Sequence, residues 1–370
     1  MSAEKTKICY ILSYYSPDYI RTQTLVEGLK RLGDYEVFEA RNRSEKFIRY
    51  LQTIYNLIRI RISVKPDIYL LGFRGYEIYW LIRLLTIGKP LILDHFMSPY
   101  DSLLNETRRI KKGSVVERLV FAYEKAILKN ADLVLTDTLA DKTFFVKTFA
   151  IPEQKISVIP VSANENLFLY SAPQQRTNKQ KFTVFYYGTF LPLHGVDIIL
   201  EAVTLLKEQP IHFKLAIGKP KIKDRAGSDD AMAQKLGRLN LNQVTHIPWI
   251  DFAELPQWIQ EADLCLGGPF GNTGQARRVI AGKTFQFLAM GKPTVVGAIE
   301  DEPHFADKQN CLLAPQGDPA ALADAILWGF HNQAELAHIG ERGRALYRNH
   351  FSINCVSDTL RQICECIQEG

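Results

Sequence analysis

An apolar run long enough to cross a bilayer as a helix, about 20 residues, is missing from this 370-residue chain, so no membrane-spanning segment is expected. The opening stretch, MSAEKTKICYILSYYS, has too short an apolar run for a signal peptide, and the expected location is the cytoplasm. Metal-type cysteine pairs are missing as well. The six cysteines (Cys9, Cys265, Cys311, Cys355, Cys364 and Cys366) show no paired ligand spacing, and no histidine follows the last two. Most fall inside apolar runs, which implies reduced, buried thiols rather than a disulfide framework. Neither sign of charge dominates. The balance of 45 Lys and Arg against 40 Asp and Glu leaves +5. That is too little to argue for nucleic acid; no recognised nucleic-acid module is present, and no such partner is expected.

What is present is an alternation. With 46% hydrophobic and 23% charged residues the chain is globular and long enough for two domains. Strand-like runs KICYILSY, YEVFEA, DIYLLGF, PLILDHF, ADLVLTDT and KISVIPV are separated by helix-like TLVEGLKRLG, KFIRYLQTIYNLIRI, YEIYWLIRLLTIG and VVERLVFAYEKAILKN. The polar stretch NENLFLYSAPQQRTNKQK interrupts the pattern. It restarts with strands FTVFYYGTF, IHFKLAIG, VTHIPWI, DLCLGGPF, PTVVGA and NCLLAPQ, and with helices VDIILEAVTLLKE, AMAQKLGRLN, LPQWIQEA, KTFQFLAMG and PAALADAILWGF. Such alternation predicts parallel, doubly wound sheets, hence an α/β chain of two Rossmann-like domains facing across a cleft. The expected division is residues 1–168, a linker at 169–180, a second domain at 181–350, and a final helix in 351–370 returning to brace the first.

Ligands of such sheets bind beyond the carboxyl ends of the strands. Four loops there carry chemistry: SYYSPDYIRTQTL with Arg21, DHFMSPYDS with Asp94, His95 and Asp101, YYGTFLPLHGVD with Gly188, Thr189, His194 and Gly195, and the glycine-rich GGPFGNTGQARRVIAGK. The last delivers Arg277, Arg278 and Lys283 to the start of an apolar helix. Its Gly282-Lys283-Thr284 imitates the end of a phosphate-binding P-loop. A P-loop, however, needs glycine five positions before Gly282, and Arg277 stands there. The triphosphatase reading fails on spacing. Cations at a helix N-terminus still make an anion site.

The stretches FYYGTFLPLHGVDIILEAVTLL, VIAGKTFQFLAMGKPTVVG and NCLLAPQGDPAALADAI, within roughly residues 182–330, resemble the nucleotide-binding domain of the two-domain (GT-B) glycosyltransferases, especially the large retaining family 4. The first half is similar more loosely, through its sheet grammar and the histidine-bearing loop. The resemblance implies a hexosyltransferase-like enzyme moving sugar from a nucleotide-sugar donor to an acceptor hydroxyl, with a glycan or lipid-linked acceptor of the cell envelope. The second domain would hold the donor through Gly188, Thr189, His194, Gly195, Arg277, Arg278, Lys283, Thr284 and Gln286. The first would present the acceptor near Tyr15, Arg21 and His95. Catalytic candidates are His95, Asp94, Asp101, Arg278 and Lys283. Asp94 or Asp101 would orient His95 or take the acceptor proton, while the cations stabilise the departing diphosphate.

The architecture commonly works without metal, and the one acidic cluster, GSDDAM, lies in a polar stretch rather than behind an apolar strand. No metal and no other cofactor are expected. Three positions depart from the family pattern: its two glutamates eight apart fall on Arg278 and Gln286, and its donor-loop lysine falls on His194. An epimerase on the same scaffold, or a nucleotide-sugar-binding protein without catalysis, are the alternatives these departures leave. Finally, residues 41–65 interleave seven cations with apolar side chains, and TRRIKKG at 107–113 adds four more. Both point to an anionic membrane surface as partner and to a peripheral place on the inner face of the cytoplasmic membrane.

Overall fold

The computed structural model describes residues 5–16, 18–44, 46–170, 181–218, 236–237 and 241–369. The GSDDAM cluster, Glu45, most of the expected linker and most of the AMAQKLGRLN helix lie outside the described residues. The chain divides into two compact units: Met1–Ser162 with Phe351–Gly370, and Ala163–His350.

In the first unit the order is β1 (Thr6–Leu12), α1 (Ile20–Lys30), β2 (Tyr35–Arg41), α2 (Ile48–Ser63), β3 (Ile68–Leu71), α3 (Tyr79–Leu85), β4 (Leu91–Asp94), α4 (Val115–Asn130), β5 (Leu133–Thr136), α5 (Leu139–Phe149) and β6 (Ile156–Val158). The second unit runs β7 (Phe182–Gly188), α6 (Val196–Leu205), β8 (Ile211–Ile217), β9 (Val244–Ile247), α7 (Leu255–Gln260), β10 (Leu264–Gly268), α8 (Gly282–Ala289), β11 (Thr294–Gly297), β12 (Leu312–Ala314), α9 (Pro319–His331) and α10 (Gln333–Leu346). Then α11 (Ile353–Glu369) returns to the first unit. Every strand-like run read from the sequence is a strand.

Both sheets are parallel and six-stranded, with orders β2-β1-β3-β4-β5-β6 and β12-β11-β10-β7-β8-β9. Strand β1 shows why. Ile8, Tyr10 and Leu12 enter the core beneath α1 and α11, while Cys9 and Ile11 enter the core beneath α2 to α5. A strand buried on both faces must be apolar throughout, which is the signature of a covered parallel sheet. Helices start where side chains relieve their orphan N–H groups. Ser114 accepts from Glu117 N–H at 3.1 Å, Thr138 from Asp141 N–H at 3.1 Å, and Asp318 from Ala321 N–H at 2.9 Å.

Helix α11 lies along α1 through Gly28. A Cβ there would stand 2.8 Å from Val356 Cγ1 and 2.9 Å from Leu360 Cδ1, so glycine permits the approach. Ile353, Val356, Leu360, Ile363 and Cys364 complete that core. No helix among the described residues is long and apolar enough to cross a membrane.

Candidate functional site

In the second sheet the chain leaves β7 toward β8 and β9 on one side, then returns to place β10 on the other. The strand order therefore reverses between β7 and β10, and the loops that follow these two strands diverge from a single point. That is where an open α/β sheet binds its ligand. These are the GTFLPLHG and glycine-rich loops singled out in the sequence.

The two loops are pressed together backbone to backbone. Gly195 has φ +66°, and a Cβ on it would stand 2.5 Å from Gly271 N and from the Phe270 carbonyl carbon. Gly271 N–H donates to the Leu193 carbonyl at 3.0 Å. No other residue fits at Gly195, because both the left-handed backbone and the missing space demand glycine. Helices α6 and α8 follow these two loops, so both start on the carboxyl side of the sheet. Neither helix has a side-chain cap; on α8 the Thr284 N–H is taken by the Ala281 carbonyl at 2.8 Å, so an anion there would meet the N–H groups of Gly282 and Lys283.

Lys283, in the first turn of α8, is the charge of this site. Its Nζ stands 5.1 Å from the centroid of the Tyr186 ring, and the side chain is only 6% exposed. No ion pair holds it among the described residues. Burial pushes its pKa down to about 7. The fold thus keeps a cation without an anion in a place where desolvating it is costly. His194 lies close enough to feel that charge. Burial first, and then Lys283, pull its pKa down to about 3, against the bond to Thr189. Its Nδ1 donates to the Thr189 carbonyl at 2.9 Å, leaving Nε2 an acceptor. His194 is therefore a neutral imidazole where the family pattern carries a lysine.

Gln286, one turn along α8, is buried and accepts a hydrogen bond on Oε1 from the Tyr187 hydroxyl. The bond fixes the amide orientation and reserves its N–H₂ for another partner. Thr284, expected at the donor, turns instead into the helix–sheet packing. A Cβ on Gly267 of β10 would stand 2.5 Å from its Oγ1, so the residue belongs to the core. The two arginines do not converge with Lys283. Arg277 is exposed and donates to Asn272 Oδ1 at 3.1 Å on its own loop, and Arg278 is half-buried with Nη1 beside Gly274. Gly188 ends β7, where a Cβ would meet the Tyr186 hydroxyl at 2.6 Å.

In the first unit the expected acceptor loops turn inward. Arg21 and Asp94 are both fully buried and bound to each other, with Arg21 Nη2 2.8 Å from Asp94 Oδ1. The guanidinium also donates to the carbonyl of Ile159. An acceptor-binding cation and a catalytic carboxylate were expected; the structure buries both and pairs them, and Arg21 offsets only part of the desolvation that raises the Asp94 pKa. His95 is likewise interior. Its Nε2 donates to Glu124 Oε1 at 2.9 Å, with Phe145 and Tyr76 edge-on to the ring. Asp101 is buried and accepts from Asn105 Nδ2 at 2.6 Å. Of the expected acceptor residues Tyr15 is exposed, its ring 4.3 Å from that of Tyr14.

Sequence reasoning passed over Tyr186, Tyr187 and Glu124. The adjoining tyrosines ahead of Gly188 were a usable signal, because a strand running into a ligand loop presents its last residues to that loop. Glu124 gave none, being 29 positions from its partner.

The comparisons bear on the fold and on the second domain. Residues 181–332 match the family described as Glycosyl transferases group 1. The chain carries a group 1 glycosyltransferase domain. By that domain it is a glycosyltransferase, and its two parallel sheets give it the GT-B fold. Sucrose-phosphate synthase from Thermosynechococcus elongatus superposes with a TM-score of 0.76 at 17% identity, over 99% of this chain and 100% of that one. HepE of Anabaena, in complex with UDP-glucose, gives 0.70 at 15% over 97% and 99%. A glycosyltransferase from Rickettsia africae gives 0.71 at 15% over 99% and 100%. At these identities the likeness is one of fold. No curated protein matches the sequence. The family match covers the domain containing Lys283, His194 and Gln286.

Proposed function

We propose that the group 1 domain binds a nucleotide sugar with its diphosphate at Lys283 and that the enzyme transfers the sugar to an acceptor hydroxyl. The observation that carries this reading is Lys283 itself: a buried ammonium, in no ion pair among the described residues, at a helix N-terminus without a side-chain cap, on the switch point of the sheet. A diphosphate supplies the missing anion. The sugar–oxygen bond breaks, its electron pair leaves with the diphosphate, and the acceptor oxygen bonds to the anomeric carbon. The acceptor proton passes to the departing diphosphate. Because negative charge grows on the leaving group, Lys283 stabilises the transition state more than the ground state. Neutral His194 offers Nε2 to a sugar hydroxyl, and the Gln286 amide offers its N–H₂ to the ribose.

The HepE neighbour is seen with UDP-glucose, which makes uridine sugars the first donors to try. We place the acceptor among glycans, lipid-linked ones included, and take transfer to be metal-independent and retaining. Support for the metal-free route comes from the cation already at the diphosphate site.

The test has two stages. A thermal-shift panel of UDP-, GDP-, ADP- and CMP-sugars should show one base stabilising the protein. With that donor, Lys283→Ala should lower kcat/KM by about a hundredfold to a thousandfold, the usual cost of losing one charge-stabilising donor. Unchanged turnover in that variant would remove Lys283 from the mechanism. Donor isomerised without any acceptor would make the enzyme an epimerase instead.

A further inference from the structure

Helices α2, α3 and α4 bury their inner faces in one core, through Leu57 and Ile60, Tyr79 and Ile82, and Ile127 and Leu128. They therefore share one layer on one side of the first sheet. They also touch side by side. Arg49 of α2 bonds Glu77, just before α3, at 2.9 Å; Tyr123 of α4 donates to the Tyr76 carbonyl at 2.7 Å; and Arg61 reaches the Ile87 carbonyl at 3.4 Å.

The outer faces of these helices are apolar where solvent should have made them polar. On α2 and its entry the exposed residues are Phe47 (72%), Ile48, Leu51, Tyr55, Ile58 and Ile62 (72%). Their three- and four-residue spacing is a continuous helical stripe. On α3 and its exit Trp80, Leu81, Leu84 (66%) and Ile87 are exposed. On α4 Val115, Val116, Leu119 (65%) and Tyr123 form a third stripe. Single exposed apolar residues are ordinary, but three adjoining stripes are an interaction surface.

Its chemistry points to the partner. Arg43, Lys46, Arg59 and Lys65 lie at the ends and edge of the α2 stripe, all exposed and in no ion pair among the described residues. Arg108, Arg109, Lys111 and Lys112 lead directly into the α4 stripe in the same condition. Among the described residues, three nearby carboxylates are already engaged: Glu77 with Arg49 and Arg74, Glu117 with Tyr100, and Glu124 with His95. Apolar stripes carrying Trp80, Tyr55 and Tyr123 and bordered by unpaired cations complement a bilayer, with its greasy interior and negative headgroups. A second copy of the same basic face would repel.

We propose that the face formed by α2, α3 and α4 docks the enzyme on an anionic lipid surface. Binding uses all three helices, so the membrane face is wider than the two basic segments visible in the sequence. It does not depend on the glycosyl-transfer reading.

Co-sedimentation of the full chain with vesicles tests it. Vesicles of phosphatidylcholine with about one-third phosphatidylglycerol should bind at least about tenfold more tightly than pure phosphatidylcholine, and salt should weaken the binding. The combined variant Leu51→Glu, Ile58→Glu, Leu84→Glu and Leu119→Glu should lose binding by tenfold or more, on the order expected for charges placed at a lipid face. So should the charge variant Arg43→Gln, Lys46→Gln, Arg59→Gln and Lys112→Gln. All eight positions are exposed, so thermal midpoint and nucleotide-sugar binding should not change in either variant. The proposal is overturned if the wild type ignores both vesicles, or if the glutamate variant sediments like the wild type. It is also overturned if the wild type forms a dimer that the glutamate variant dissolves without any vesicle binding.

Discussion

Lys283 and Gln286 sit on the same short helix and meet two neighbouring tyrosines of β7 in different ways. Tyr186 lies under the ammonium as an aromatic face, while Tyr187 donates to the amide oxygen. The second contact decides what Gln286 can offer. With Oε1 oriented toward Tyr187, the N–H₂ is the free end, so on the proposed reading the glutamine would meet ribose as a donor. Tyr187→Phe frees the amide to rotate and should raise the donor KM about fivefold, the loss of roughly one ordinary hydrogen bond, with kcat little changed. Gln286→Ala should raise it at least as much. Steady-state kinetics over donor concentration read both effects, and a fall in kcat alone in either variant would contradict the ribose role.

At the scale of elements, glycine decides which segments can touch. Gly28 admits α11 against α1, and Gly33, three residues beyond the end of α1, faces open space. Gly28→Val should destabilise the protein by about 1–3 kcal/mol through overpacking against Val356 and Leu360, whereas Gly33→Val should not carry that penalty. Thermal unfolding of the two variants side by side makes the comparison; equal midpoints would mean that α11 does not depend on the close approach. The elements also show where the sequence was legible. All twelve strands could be read, because a strand buried on both faces is an uninterrupted apolar run bounded by turns. Helices α5 and α10 escaped. The capping Thr138 of α5 sits at the end of the β5 run and was absorbed into it, while α10 exposes much of its surface and carries a weaker apolar stripe. The donor loops were visible as glycine and cation patterns. The inward turn of Arg21, Asp94 and His95 was not, since Asp94 lies 73 positions from Arg21 and Glu124 lies 29 from His95.

As a whole molecule the chain interrupts one unit in sequence to make another. It leaves the first sheet after β6, completes the second unit, and returns with α11 to close the first core. The group 1 match lies within the second unit, and that unit holds the charge on which the functional account depends. Free Lys283 titrates near pH 7 instead of its ordinary 10.5. Between those values the unfolded chain binds more protons than the folded one, so stability rises with pH across that window. A bound diphosphate reverses the preference, because it favours the charged ammonium. Donor binding must then take up a proton above pH 7, and affinity must fall as pH rises. His194, held at about 3, stays neutral throughout and adds no slope. The decisive measurement is titration calorimetry of the nucleotide sugar chosen by the thermal-shift panel, from pH 6 to pH 9, on the wild type and Lys283→Met. The expected result is a wild-type Kd that weakens by up to about tenfold per pH unit above 7, against weak and pH-independent binding in the variant. A wild-type Kd that does not vary over that range, or a variant that binds as tightly as the wild type, would contradict the account.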